Sequence, residues 1–80
     1  MKLFLLRQDS NRDWDTYDSI VVAAPDEETA RITTPDSEGW REDNLYGVWC
    51  DTPEMVTVDY LGIAEEGVKQ GIICSSFNAG

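Results

Sequence analysis

Four aspartates fall within the ten residues "DSNRDWDTYD" (9–18), interleaved with Trp14 and Tyr17. Carboxylates at alternate positions are the ligand pattern of a calcium loop. Asp9, Asn11, Asp13 and Asp15 occupy positions 1, 3, 5 and 7 of that pattern. The pattern then breaks. Position 6, where glycine makes the sharp turn, is Trp14, and position 12, where a bidentate glutamate closes the site, is Ile20. We therefore expect no dedicated metal site here.

Other chemistries are poorly supplied. The chain has no histidine, which removes Ser-His-Asp and Cys-His catalysis and the usual zinc sites. It has no glycine-rich phosphate loop. Its two cysteines, Cys50 and Cys74, do not make a metal site by themselves. Nothing in the sequence places a pair of carboxylates across a pocket. We expect no catalytic residues, no metal and no cofactor.

Recognition is the chemistry that remains. The chain carries 16 acids against 6 Lys plus Arg, for a net charge of −10. Nucleic acid and anionic membrane surfaces both require a basic footprint, so direct contact with either is disfavoured. A basic partner would be steered toward the chain. Eleven of the acids lie between residues 9 and 43, and none lies in 67–80. The candidate partner-binding residues are Asp9, Asp13, Trp14, Asp15 and Asp18 in the first cluster, Asp26, Glu27 and Glu28 in the second, and Glu42 and Asp43 in the third. Trp14 between two aspartates suits an interface anchor ringed by steering charge. Two plainer alternatives stand beside this. Asp and Asn favour turns by bonding their own backbone, and acidic charge by itself keeps a protein soluble.

The elements that would position these residues are short. An 80-residue chain is one domain, 1–80, with a small core. "KLFLLRQ" (2–8) is a strand whose consecutive apolar residues suggest cover on both faces. "YDSIVVAA" (17–24) is a second, β-branched strand. "PDEETARITT" (25–34) is a short helix, with Pro25 at its first position, acids in its first turn, and Glu27 and Arg31 spaced as an i,i+4 pair. Thr29, Ala30 and Thr33 form its small-residue face, and Ile32 points away. Residues 35–54 read as an irregular crossing segment carrying Trp40, Leu45, Tyr46, Val48 and Trp49. "MVTVDYLG" (55–62) alternates as a strand, and "GIICSSF" (71–77) is a fourth, joined to it by "AEEGVKQ" read as a hairpin connection.

The fold expected is α+β: a ββαββ chain with a four-stranded, mainly antiparallel sheet in the order 2-1-3-4 and one short helix. The helix would cover one face, and the Trp-bearing segment or a partner the other. Val56, Val58, Tyr60, Leu3, Leu5 and Val22 are expected in the core. Both cysteines are expected to be small core thiols in a reducing compartment, because "MKLFLL" is too short an apolar run for an export signal and no run spans a membrane.

Three stretches, "MKLFLLRQ", "DTYDSIVVAAPDEETAR" and "VTVDYLGIAEEGVKQGIICSSFNAG", resemble a group of small phage- and prophage-encoded proteins of uncharacterised function. They span about 50 of the 80 residues, the "SSFNAG" ending and the "VVAAPDEETAR" junction being the most specific. No catalytic motif comes with the resemblance. It implies a phage product in the host cell cytoplasm. In size and charge such a chain is similar to anti-CRISPR proteins and other inhibitors of host machinery. The partner expected is a basic host protein or nucleoprotein complex, with the chain itself a monomer or weak homodimer. The competing expectation is a structural or assembly accessory protein, and a third is a small-molecule or metal binder.

Overall fold

The computed structural model describes residues 1–9, 16–36, 40, 49–50 and 52–78. Four strands, β1 (Lys2–Arg7), β2 (Thr16–Ala24), β3 (Thr57–Ile63) and β4 (Gly71–Asn78), form one sheet in the order β3-β1-β2-β4. A single five-residue helix, α1 (Glu27–Arg31), lies between β2 and β3 in the chain, and a 3-10 turn (Pro53–Met55) leads into β3. The α+β class, the antiparallel four-stranded sheet and the short helix are those expected. β1 separates β2 from β3 and is antiparallel to both.

The place of β4 corrects the expected order. β4 pairs with β2, from Thr16↔Asn78 to Ala23↔Gly71, and not with β3. Residues 64–70 are therefore no hairpin. They carry the chain from one edge of the sheet to the other, passing the amino terminus, where the Ala64 N–H donates to the Met1 carbonyl at 2.9 Å. Seven residues reach about 23 Å when extended, and three inter-strand steps need only about 14 Å, so the crossing is easily made. The order also suits the residues. "LFLL" and "IVVAA" are both continuous apolar runs, and β1 and β2 are both interior strands. The alternating β3 is left at an edge.

The buried cluster contains Phe4 and Leu6 of β1, Ile20, Val22 and Ala24 of β2, Ala30 of α1, and Trp49, Cys50 and Val56. Val58, Ile72, Tyr17 and Trp40 pack against it. The register puts Phe4 opposite Val22 and Tyr60, and Leu6 opposite Ile20 and Val58, so these residues share one face. Leu3 and Leu5 point to the other face and are only half-buried. Leu3 and Leu5, expected in the core, thus lie on the face of β1 opposite to it. Val56 and Val22 are buried as expected and Val58 is half-buried. Tyr60 is 57% exposed on the edge strand, although its ring lies 5.7 Å from that of Phe4.

The helix and the crossing segment meet on this same face, since Ala30 and Trp49 belong to one cluster. The expected division, with helix on one face and tryptophans on the other, is corrected to that extent. The helix is also shorter than expected. Asp26 is its N-cap, with Oδ1 accepting from the Thr29 N–H at 2.8 Å, which leaves Pro25 outside the helix. Ala30 is fully buried and Ile32 exposed, as the small-residue face predicts. Arg31 ties the helix end to the start of β3 by donating to the Pro53 and Val56 carbonyls, and its other nitrogen lies 3.9 Å from Glu27. A helix of five residues is too short to hold by itself, and these tertiary contacts supply what chain length does not.

Bulges interrupt the ladder in both edge pairings. Gly62 stands at the one between β3 and β1 with φ +146°, a conformation that residues with a Cβ rarely adopt.

Candidate functional site

The second bulge shapes the site. In the β2–β4 ladder, Tyr17 pairs with Phe77 and Ser19 with Ser76, which leaves Asp18 as the extra residue of β2. Gln8, just past the end of β1, holds this bulge from the other side. Its backbone N–H donates to the Asp18 carbonyl at 3.2 Å, and its side-chain Nε2 donates to the Tyr17 carbonyl at 2.8 Å. A buried glutamine thus satisfies two carbonyls at the point where regular pairing ends. A bulge of this kind re-aims the side chain it carries.

At this end of the sheet lies a cleft of about 480 Å³, lined by Arg7, Gln8, Asp9, Asp18, Ser19, Met55 and Thr57. The register explains the grouping, because Arg7 stands opposite Ser19 on one side and Thr57 on the other. Asp9 lies two residues past the end of β1, and Met55 ends the 3-10 turn. Asp9 and Asp18 are both exposed. The Arg7 guanidinium is turned to Asp59 at 2.6 Å, in an exposed ion pair. The cleft therefore combines two exposed carboxylates with an apolar wall at Met55. That combination suits an aliphatic-stemmed cation such as a lysine or arginine side chain. With no imidazole in the chain, Ser19 and Thr57 have no histidine to activate them.

Of the residues expected at the partner surface, the fold brings Asp9 and Asp18 together here. Asp26, Glu27 and Glu28 lie at the opposite end of β2, all exposed, at the start of α1. The stretch of β2 from Asp18 to Ala24 puts roughly 20 Å between the two groups, at about 3.3 Å per residue. Asp26 is committed to capping. The Thr29 backbone N–H, then the Thr29 side chain, and more weakly the charge of Lys2, hold its carboxyl below the usual aspartate value. Glu27 faces Arg31 across one helical turn. Asp13, Trp14, Asp15, Glu42 and Asp43 lie outside the described residues.

Arg7, Gln8, Ser19, Met55 and Thr57 line the cleft without having been singled out in the sequence. Their signal is weak but present: "RQD" is where the apolar run of β1 gives way to polar residues, and strand ends are where sites gather. Among the described residues, no group of three or more Cys, Asp or Glu is arranged to hold a metal ion. Cys50 is buried as expected, whereas Cys74 is exposed, because the extra residue at Ile73 in β4 shifts the alternation that would have turned it inward. Among the described residues, no helix is long and apolar enough to cross a membrane. No family model, no curated protein and no solved structure matches the chain.

Proposed function

We propose that this chain is a non-enzymatic acidic binding protein of phage type, which occupies a basic surface of a nucleic-acid-handling host complex in the host cytoplasm and so inhibits it, as a counter-defence protein of the anti-CRISPR kind would. The observation that carries this reading is the pairing of Asp9 and Asp18 at one cleft with an apolar wall, in a chain of net charge −10. The cleft takes a lysine or arginine side chain of the partner. The exposed carboxylates at the start of α1, roughly 20 Å along β2, extend the acidic surface in the manner of spaced phosphates, which a Lys/Arg groove is built to meet.

The reading is tested by capture from host lysate at low and high salt, with wild-type chain and with Asp9→Asn/Asp18→Asn. The expected result is capture of one basic complex that weakens with salt and with the double substitution. Association only with itself or with virion components would replace the inhibitor by the alternative, a structural or assembly accessory protein.

A further inference from the structure

The two edges of the sheet are chemically unlike. β3 carries Asp59 and runs into Glu65 and Glu66, and it exposes Tyr60, Leu61 and Ile63 beside them. β4, "GIICSSFN", carries no charged residue and no proline. Its only charged neighbour in 67–80 is Lys69. β4 pairs with β2 along one side, and among the described residues its outer side pairs with no strand. Ile73 is 50% and Phe77 46% exposed. Natural sheets blunt such edges with charge, proline or a bulge. β4 itself carries only the extra residue at Ile73, so Cys74–Asn78 runs on without an inserted residue of its own, the Asp18 bulge opposite Ser76 and Phe77 belonging to β2.

We infer that this run is a self-association edge: two copies pair antiparallel along Cys74–Asn78 about a two-fold axis, joining their sheets into one. The occupant follows from the charge pattern. A chain of net charge −10 repels its own copy everywhere that acids cluster. A β3–β3 seam would bring the Asp59, Glu65 and Glu66 carboxylates of both copies onto one line, and like charges across a strand pair are destabilising. The β4 seam brings no charged residue of the strand against another, its Cys74–Phe77 stretch being cysteine, serine and phenylalanine. Any strand placed antiparallel to itself across a two-fold is self-complementary in its main-chain hydrogen bonds. The nearest described carboxylate on the neighbouring strand is Asp18, one strand-spacing inward on β2.

The inference stands apart from the basic-partner reading, and the two have opposite salt dependence. Screening weakens attraction to a basic surface but relieves repulsion between two acidic copies. Sedimentation equilibrium of the whole chain tests it, in low salt and at about 1 M, where the screening length falls from roughly 10 Å to 3 Å. We expect a monomer–dimer equilibrium with a dissociation constant between about 1 µM and 1 mM, tightening severalfold with salt. Ser75→Glu/Ser76→Glu should weaken it at least tenfold, whereas Leu61→Glu/Ile63→Glu, with the same added charge at exposed positions of β3, should leave it unchanged. Hydrogen exchange on the wild-type chain needs no variant: amides in 74–78 should gain protection as concentration rises. A single monomeric species at all salts, or a dimer broken by the β3 pair and indifferent to the β4 pair, overturns the inference, as does concentration-independent exchange in 74–78.

Discussion

Leu5 and Leu6 are neighbours of the same type on one strand, and the sheet assigns them opposite fates. Leu6 is fully buried against Ile20 and Val58, and Leu5 faces the half-exposed side. Leu6→Ala removes three carbons, about 2.4 kcal/mol at roughly 0.8 kcal/mol per buried methylene. The cavity left in a packed core raises this to about 3 kcal/mol. Leu5→Ala removes the same atoms from a half-solvated site, so about 1 kcal/mol is expected and little cavity cost. A domain of this length has only about 4–12 kcal/mol in total, so Leu6→Ala takes away a large share. The melting temperature should fall by roughly 12–24 °C for Leu6→Ala and 4–8 °C for Leu5→Ala. Urea titration should separate the midpoints by about 1–2 M at equal slope. Equal losses, or a larger loss at Leu5, would refute the placement of the core on the Phe4–Leu6 face and with it the position of α1 and Trp49.

Other outcomes follow from single contacts. The Asp26 carboxyl titrates below its unfolded value in the folded chain, so its contribution to stability is complete above about pH 4 and is lost as pH falls through the folded value; Asp26→Ala should lower the melting temperature at pH 7 and flatten that acid limb, seen by circular dichroism. Native protein should take up one equivalent of maleimide, at exposed Cys74, and a second at Cys50 only after denaturation, as read by peptide mass spectrometry. Trp14→Ala should weaken capture of the basic partner by about 2 kcal/mol if the ring is an anchor, while a melting temperature that drops steeply would make it scaffold.

Much of the fold was legible because its signals are local. Strand alternation at 55–62, the acids of the first helical turn and the Glu27–Arg31 spacing all act within a few residues. What was not legible is set at long range. A continuous apolar run such as "LFLL" has no alternation to say which face is buried, and only the register with β2 and β3 decides it. The continuous apolar "IVVAA" run of β2 is the local signal of an interior strand, as "LFLL" is in β1, and it fits the pairing of β4 with β2. The two bulges of the β2–β4 ladder are invisible to periodicity, yet one carries Asp18 at the cleft and the other turns Cys74 outward. The Asp9–Asp18 pairing was visible only as two acids in one cluster. The cleft itself needs Met55 and Thr57, which lie nearly forty residues away in the chain.

The salt dependence of partner binding, compared between wild type and Asp9→Asn/Asp18→Asn, decides whether the carboxylates of the cleft meet a basic surface. Isothermal titration with the captured basic complex, from about 0.05 to 0.5 M salt, spans the range in which exposed charges lose their reach. Wild-type affinity should fall steeply with salt, and the double substitution should both weaken binding and flatten the slope. Wild-type and substituted chains with the same affinity and the same slope would contradict it.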